Sequence, residues 1–407
     1  MVKTNITLKY KGKSTEVNHS NTIGSNSIIQ NMKLIKSKKQ LKNPLVWLEI
    51  NSKKIKQNMQ SIRSLVGNVK IMAVLKANAY GVGADQAAVF LEQCVDLFGV
   101  VGAREGQKLR AAGIKKTIVN LGIYNPDDAN TLINNNIIPT LFNDNDLKDY
   151  RAIAGKKGVI LDTWIKVDTG LGRLGIPYQN ALAFIQRYSK SKWIKISGIY
   201  STLTEDASFD QKQLNLFKNL KKQCTASKIT IPVWSIASSA TTFISKKFYF
   251  DMARIGLPIF GFYPSQEAKK TRMIKLKPAV TYKTRVACIK ELKKGESIFY
   301  RRTFIAKQKT RVVVLLPGYS YGLDPRLVNG GNVLIGGKKY PLIGGISATN
   351  CFANIGMNKN IDVGDEVVVF GKQKKSEIKL ENICNLLGKS PYEILSRIPE
   401  KITRLYN

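Results

Sequence analysis

From Pro44 onward, short apolar runs alternate with amphipathic stretches at a regular spacing. Positions 46–50 read as a short strand, and Asn51 is placed to cap the helix that follows. Apolar, β-rich runs at 70–75, 97–101, 117–121, 138–142, 159–167, 194–200, 231–236 and 251–262 predict further strands. Helical periodicity fills most of the gaps, as at 144–154, 178–188 and 210–224. Parallel strands need long crossovers. About eight such strand–helix units over about 220 residues predict an α/β fold, a (β/α)8 TIM-like barrel across 44–274.

Past residue 275 the pattern changes. Runs at 279–292, 311–316, 332–335, 339–343 and 366–370 are joined by Gly-rich turns. They predict a mostly antiparallel β domain over 275–407, closed by a helical tail at 380–387 and 392–397. Residues 1–43 hold nine Lys and one Glu with no sustained periodicity, and read as a basic, disordered extension.

Composition narrows the chemistry more than the fold. No apolar run approaches the ~20 residues of a membrane span, and the N-terminus has no secretory apolar stretch. Five scattered Cys without a CxxC pair argue against a disulfide framework or zinc site and fit a reducing cytoplasm. The only His, His19, lies in the polar extension, which leaves no His-based mechanism or metal site. The net charge of +37 invites a nucleic-acid reading. The basic residues are scattered, however, and no RNP-like, zinc-finger or helix-turn-helix pattern accompanies them. A solvated basic surface without a specific nucleic-acid or membrane partner is the reading adopted.

Six segments carry residues suited to chemistry. Lys76 ends an apolar strand and opens the run Lys76-Ala77-Asn78-Ala79-Tyr80-Gly81. Strand C-termini hold the active site of such barrels. A lysine there is partly desolvated, which favours the neutral amine and an imine with an aldehyde cofactor. The residues alone equally allow an ordinary lysine at a strand mouth. Lys166-Val167-Asp168-Thr169-Gly170-Leu171-Gly172-Arg173 also closes a strand, and could be a loop with a structural ion pair. Ser235 to Thr242 places small hydroxyl residues after a strand, suited to an anion or to a plain helix cap. Arg254 sits in the apolar run Met252-Ala253-Arg254-Ile255-Gly256-Leu257, where burial requires a partner. Pro317-Gly318-Tyr319-Ser320-Tyr321-Gly322 reads as a turn with two aromatic residues, and Ser390-Pro391-Tyr392-Glu393 as a helix start.

Taken in order, these segments resemble the alanine racemase family, and the resemblance runs from about residue 45 to 406. It implies a pyridoxal 5'-phosphate enzyme with Lys76 as the cofactor lysine and catalytic base. Tyr80, Ser239, Tyr392 and the amides of Gly256 and Leu257 would bind the cofactor, and Arg254 would face its pyridine nitrogen. Arg173 would meet the cofactor's phenolic oxygen and the substrate carboxylate, oriented by a carbamylated Lys166. Tyr319 would be the second base, reaching into the partner subunit of a homodimer with shared sites, and Ala348 would lie at the substrate entrance. The implied reaction interconverts L- and D-alanine, supplying D-alanine for cell-wall peptidoglycan. Departures from the family pattern fall at Val82 and Thr202, where His is usual, at Tyr321, where an acid is usual, and at Ala348-Thr349, usually Met-Asp. They leave open a racemase of another amino acid, serine or a basic one, or a weakly active cofactor-binding relative.

Overall fold

The computed structural model describes residues 42–271 and 273–407, together with the backbone of Lys33–Leu34. The extension expected at 1–43 falls almost wholly outside these residues. The Lys33–Leu34 backbone pairs antiparallel with Lys290 and Glu291.

All eight expected barrel strands form: Lys70–Val74, Leu97–Val100, Ile118–Asn120, Ile137–Leu141, Leu161–Asp168, Ile194–Tyr200, Trp234–Ser235 and Met252–Ile255. Each pairs in parallel with the next along the sheet, and Met252–Ile255 returns to pair with Lys70–Val74. The remaining seam is bridged by the amide of Asp251 donating to the Trp234 carbonyl at 3.0 Å and that of Arg254 donating to the Ala237 carbonyl at 3.1 Å. Two strands are much shorter than expected. The run 251–262 leaves the sheet after Ile255, because Gly256 turns the backbone and Pro258, in the 3-10 turn Leu257–Phe260, has no ladder donor. The run 231–236 contributes only Trp234–Ser235.

Alternation along the strands explains why the barrel is filled. Met72 and Val74 point inward with Leu97, Val119, Trp164 and Met252, while Ile71, Ala73 and Leu75 pack outward against the helices. Gly198 carries no Cβ where one would run into the Trp164 indole, so the large ring can plug the interior. The polar site is thereby confined to the mouth at the strand C-termini.

The helix Ser52–Val66 begins as expected at Asn51, whose side chain accepts from the Lys54 amide at 2.9 Å. Its buried stripe of Ile55, Met59, Ile62 and Val66 follows the 3.6-residue period. Each fully buried side chain contributes roughly 1.5–3 kcal/mol against exposure. Asn58 shares that face, donating to the Ile259 and Lys277 carbonyls at 3.2 and 2.9 Å and accepting from the Lys277 amide at 2.8 Å. It pins the helix to the segment that leaves the barrel.

The strand Val46–Ile50 forms but lies in the second sheet, between Val280–Leu292, antiparallel, and Thr403–Tyr406, parallel. The chain therefore enters the β module before it builds the barrel. The long strand Val280–Leu292 also pairs with Thr310–Leu315 and Glu366–Gln373. Asn332–Ile335, Lys338–Ile343 and Cys351–Gly356 complete most of this antiparallel sheet. The tail helices Leu380–Leu387 and Pro391–Leu395 follow. No described helix is long and apolar enough to cross a membrane.

Candidate active site

A cavity of about 760 Å³ opens at the mouth of the parallel barrel. Lys76, Tyr80, Lys166, Arg173, Ser239, Arg254, Gly256 and Tyr392 all line it. Sequence reasoning had gathered these from segments more than 300 residues apart, and the barrel brings them to one place.

Lys76 follows the strand Lys70–Val74 and starts an unusual turn. Ala77, Asn78, Ala79 and Tyr80 all have left-handed backbone angles, with φ of 51°, 54°, 52° and 57°. For L-residues each costs roughly 1–2 kcal/mol, and strain of this kind persists only where surrounding contacts over-determine it. Here the Ala79 amide donates to the Leu75 carbonyl and that of Gly81 to Ala77, both at 2.9 Å. Gly81 lies so close to the Leu395 carbonyl that a Cβ would collide with it. Burial and the nearby Arg173 lower the pKa of Lys76, which favours the neutral amine, while Glu105 acts in the opposite sense.

The strand Leu161–Asp168 and the loop after it supply the next two cations. Lys166 is 4 % exposed. Burial first, then Arg173 and Arg254, push its pKa down to about 8. Asp168 accepts from the Gly170 amide at 2.9 Å and the Gly172 amide at 3.0 Å, folding the loop that presents Arg173. Arg254, deep in the cavity, donates to the Ser235 carbonyl and hydroxyl at 3.0 and 2.7 Å and to the Ser201 carbonyl at 2.6 Å. Its guanidinium lies 5.0 Å from the Tyr200 ring centroid. Burial lowers its pKa to about 10, yet it remains a cation, held by neutral acceptors rather than a carboxylate.

Hydroxyls also converge on a backbone turn that lines the cavity. The Gly256 amide donates to the Ser239 hydroxyl at 2.9 Å. A Cβ on Gly256 would strike the Tyr80 hydroxyl, so only glycine lets that hydroxyl reach the turn. The Tyr80 and Tyr392 rings meet edge to face with centroids 5.3 Å apart. Leu257, the second amide expected here, does not line the cavity; it is fully buried at the start of the 3-10 turn Leu257–Phe260. The Tyr80, Ser239 and Tyr392 hydroxyls and the Gly256 turn line the same cavity, a set of polar groups suited to an anion.

Tyr319 and Ala348 do not line this cavity. They lie together on the β module instead. The Tyr319 amide donates to the Ser347 carbonyl, and that of Ser320 to the Ala348 carbonyl, both at 2.9 Å. Gly318 permits the approach, since a Cβ there would collide with the same two residues. The Tyr319 side chain is 56 % exposed. Of the departures, Thr202 does line the cavity, accepting from Arg254 at 3.5 Å. Val82 is buried, and the Tyr321 ring lies under the Lys401 ammonium at 4.4 Å.

Sequence reasoning missed two groups that hold the site. A buried chain of Gln213, Thr169 and Ser201 supports the strand mouths: Gln213 donates to the Thr169 hydroxyl at 3.1 Å, which lies 2.8 Å from that of Ser201. Glu105, in the first turn of the helix Ala103–Ala111, reaches the Lys76 turn. Neither had a local signal, because an acid in a first helical turn and scattered hydroxyls are ordinary by composition.

A lysine at one strand mouth of a closed parallel barrel, with arginines and hydroxyls beside it and an antiparallel β domain after it, defines a class of barrel enzyme built around a reactive lysine. The alanine racemase N-terminal domain model matches residues 50–264 and the C-terminal domain model residues 279–406. The alanine racemase of Desulforamulus reducens is 33 % identical over 373 residues, covering 90 % of this chain and 100 % of that one. Alanine racemase 1 of Caldanaerobacter subterraneus subsp. tengcongensis is 32 % identical over 366 residues, covering 88 % and 94 %. The solved alanine racemase of Clostridium difficile 630 superposes with a TM-score of 0.85 at 28 % identity, covering 90 % of this chain and 96 % of that one. That of Bacillus anthracis with bound L-Ala-P gives 0.83 at 26 %, covering 89 % and 95 %. The chain belongs to the alanine racemase family.

Proposed function

We propose that this protein interconverts L- and D-alanine using pyridoxal 5'-phosphate. The observation that carries the proposal is the convergence of Lys76, Arg173 and Arg254 with the Tyr80–Ser239–Gly256–Tyr392 cradle in one cavity. The cradle fits the cofactor's phosphate, Lys76 its aldehyde carbon, and Arg254 its ring nitrogen. The bound cofactor supplies the electron sink that acidifies Cα. An arginine opposite the nitrogen disfavours protonation there, which weakens that sink and limits side reactions.

The chain's own residues then do the rest. Arg173 receives the substrate carboxylate. The neutral Lys76 amine takes or returns a proton at one face of Cα. Inverting the centre needs a second group on the opposite face, since one base returns the proton where it came from. We assign that role to Tyr319 of a second copy of the chain. Its exposure, and its absence from the cavity of its own protomer, support a homodimer with shared sites. The test is chiral analysis of the product from purified protein and L-alanine, with a panel of other L-amino acids including serine. D-alanine is expected as the dominant product. Preferential turnover of serine or a basic amino acid would replace alanine as the substrate.

Lys166 leads to a further expected outcome. Nearly buried between Arg173 and Arg254, with a pKa of about 8, it has no carboxylate within ion-pair distance among the described residues. Its neutral amine adds carbon dioxide to give a carbamate and a proton, replacing a repelled cation by an anion that Arg173 can grip. Because the neutral form is needed, carbamylation strengthens as pH rises toward 8 and weakens below it. Exhaustive removal of bicarbonate at pH 6 is expected to lower activity at least about tenfold, with recovery on adding bicarbonate at pH 8. Activity indifferent to bicarbonate at both pH values would exclude the carbamate.

A further inference from the structure

The left-handed turn after Lys76 does not use the Ala77 amide in its own hydrogen bonds. Ala77 opens the turn, and its N–H points away from it. That N–H donates to a carboxylate oxygen of Glu105, 28 residues further on, at 2.7 Å. The other oxygen of the same carboxylate accepts from the Val101 amide at 2.9 Å. This second bond is the reach-back that an acid in a first helical turn commonly makes to its own N-terminus. The first bond serves no such local purpose. It ties the mouth of the strand Lys70–Val74 to that of its neighbour Leu97–Val100, through a side chain on neither strand.

We propose that Glu105 is a positioning residue for Lys76, holding the left-handed turn from which Lys76 projects and setting the charge that Lys76 faces. Glu105 is not among the residues lining the cavity, so it acts through Lys76 and not on the substrate. The inference rests on Lys76 being the cofactor lysine. Two charged groups bear most on Lys76: Arg173 and Glu105. Glu105 is the single anion among them. Neutralising it leaves the Arg173 cation unopposed, so Lys76 should lose its proton at lower pH. A glutamine also offers an N–H where the carboxylate offered a second acceptor, so one of the two amides is left facing a donor.

The experiment compares full-length wild type, Glu105→Gln and Glu105→Asp. Reductive methylation by formaldehyde and cyanoborohydride after cofactor removal is followed at Lys76 by peptide mass spectrometry across pH. Amide exchange is followed over 75–82 and 97–102. In Glu105→Gln the methylation midpoint is expected to fall by about half a pH unit, and the Ala77 amide to exchange at least about tenfold faster. In the holoenzyme, kcat should fall about tenfold or more while KM changes within about twofold. Glu105→Asp keeps the charge but loses a methylene of reach, so its midpoint stays near wild type while exchange still accelerates. A separate arm traps wild type with pyridoxal 5'-phosphate and borohydride, and no adduct on Lys76 there would overturn the cofactor-lysine reading alone. A folded Glu105→Gln with wild-type midpoint and Ala77 exchange would overturn the positioning role. Should that variant fail to fold, wild-type Ala77 exchange in Glu105→Asp would do so.

Discussion

Lys76→Ala is expected to lower kcat by on the order of 10⁴-fold, since one side chain both anchors the cofactor and moves a proton. The fold should survive, because Lys76 lines an open cavity and its substitution removes no core contact. Purified wild type reconstituted with pyridoxal 5'-phosphate should absorb at the edge of the visible range. Borohydride should bleach that band and leave the cofactor fixed on Lys76. Lys76→Ala should show neither. Four consecutive left-handed residues follow this lysine where it enters the cavity. A reduced adduct on a single lysine in Lys76→Ala would show that another amine holds the cofactor.

Tyr319→Phe is expected to lower activity by about 10²–10⁴-fold, the range for removing a positioned acid or base, while leaving the cofactor band intact. The informative measurement is a mixture. Lys76 lies on the barrel and Tyr319 on the β module, outside the cavity of its own protomer. In a symmetric dimer with shared sites, Lys76→Ala paired with Tyr319→Phe leaves one site with both lesions and one with neither. Random exchange of equal amounts makes half of the dimers mixed, so about a quarter of wild-type activity should return. Exchange can be followed by native mass spectrometry. Mixed dimers without recovered activity would mean that each protomer uses its own tyrosine or another base.

The order of strands and the site residues at their ends were legible because a barrel mouth collects residues by topology. Side chains at the C-terminal mouths of parallel strands face the same space, so the segments of Lys76 and of Lys166 to Arg173 could be grouped without coordinates, while Arg254 joined them through the family resemblance. The hydroxyl cradle was legible for the same reason at Ser239, and through the family resemblance at Tyr392, which comes from the C-terminal tail. Strand lengths were not legible. The run 251–262 is apolar apart from Asp251 and Arg254, but four of its residues, Leu257–Phe260, pack as a 3-10 turn, since a buried turn and a buried strand share one composition.

By itself the sequence determined which residues are apolar, at what period, and in what order the reactive ones occur. Those suffice for the fold class, and in their order they carry the family resemblance that implies the chemistry. Tertiary structure alone decided which distant segments complete a sheet and which groups hold the reactive ones in place. Thr403–Tyr406 is four residues of alternating exposure and becomes a strand only because Val46–Ile50, more than 350 positions away, offers a ladder. Glu105 looks like an ordinary first-turn acid until the closed barrel sets the Ala77 amide 2.7 Å from it. In both cases the deciding interaction is a hydrogen bond between segments distant in sequence. Its existence depends on barrel and sheet closure, which no local pattern of residues encodes.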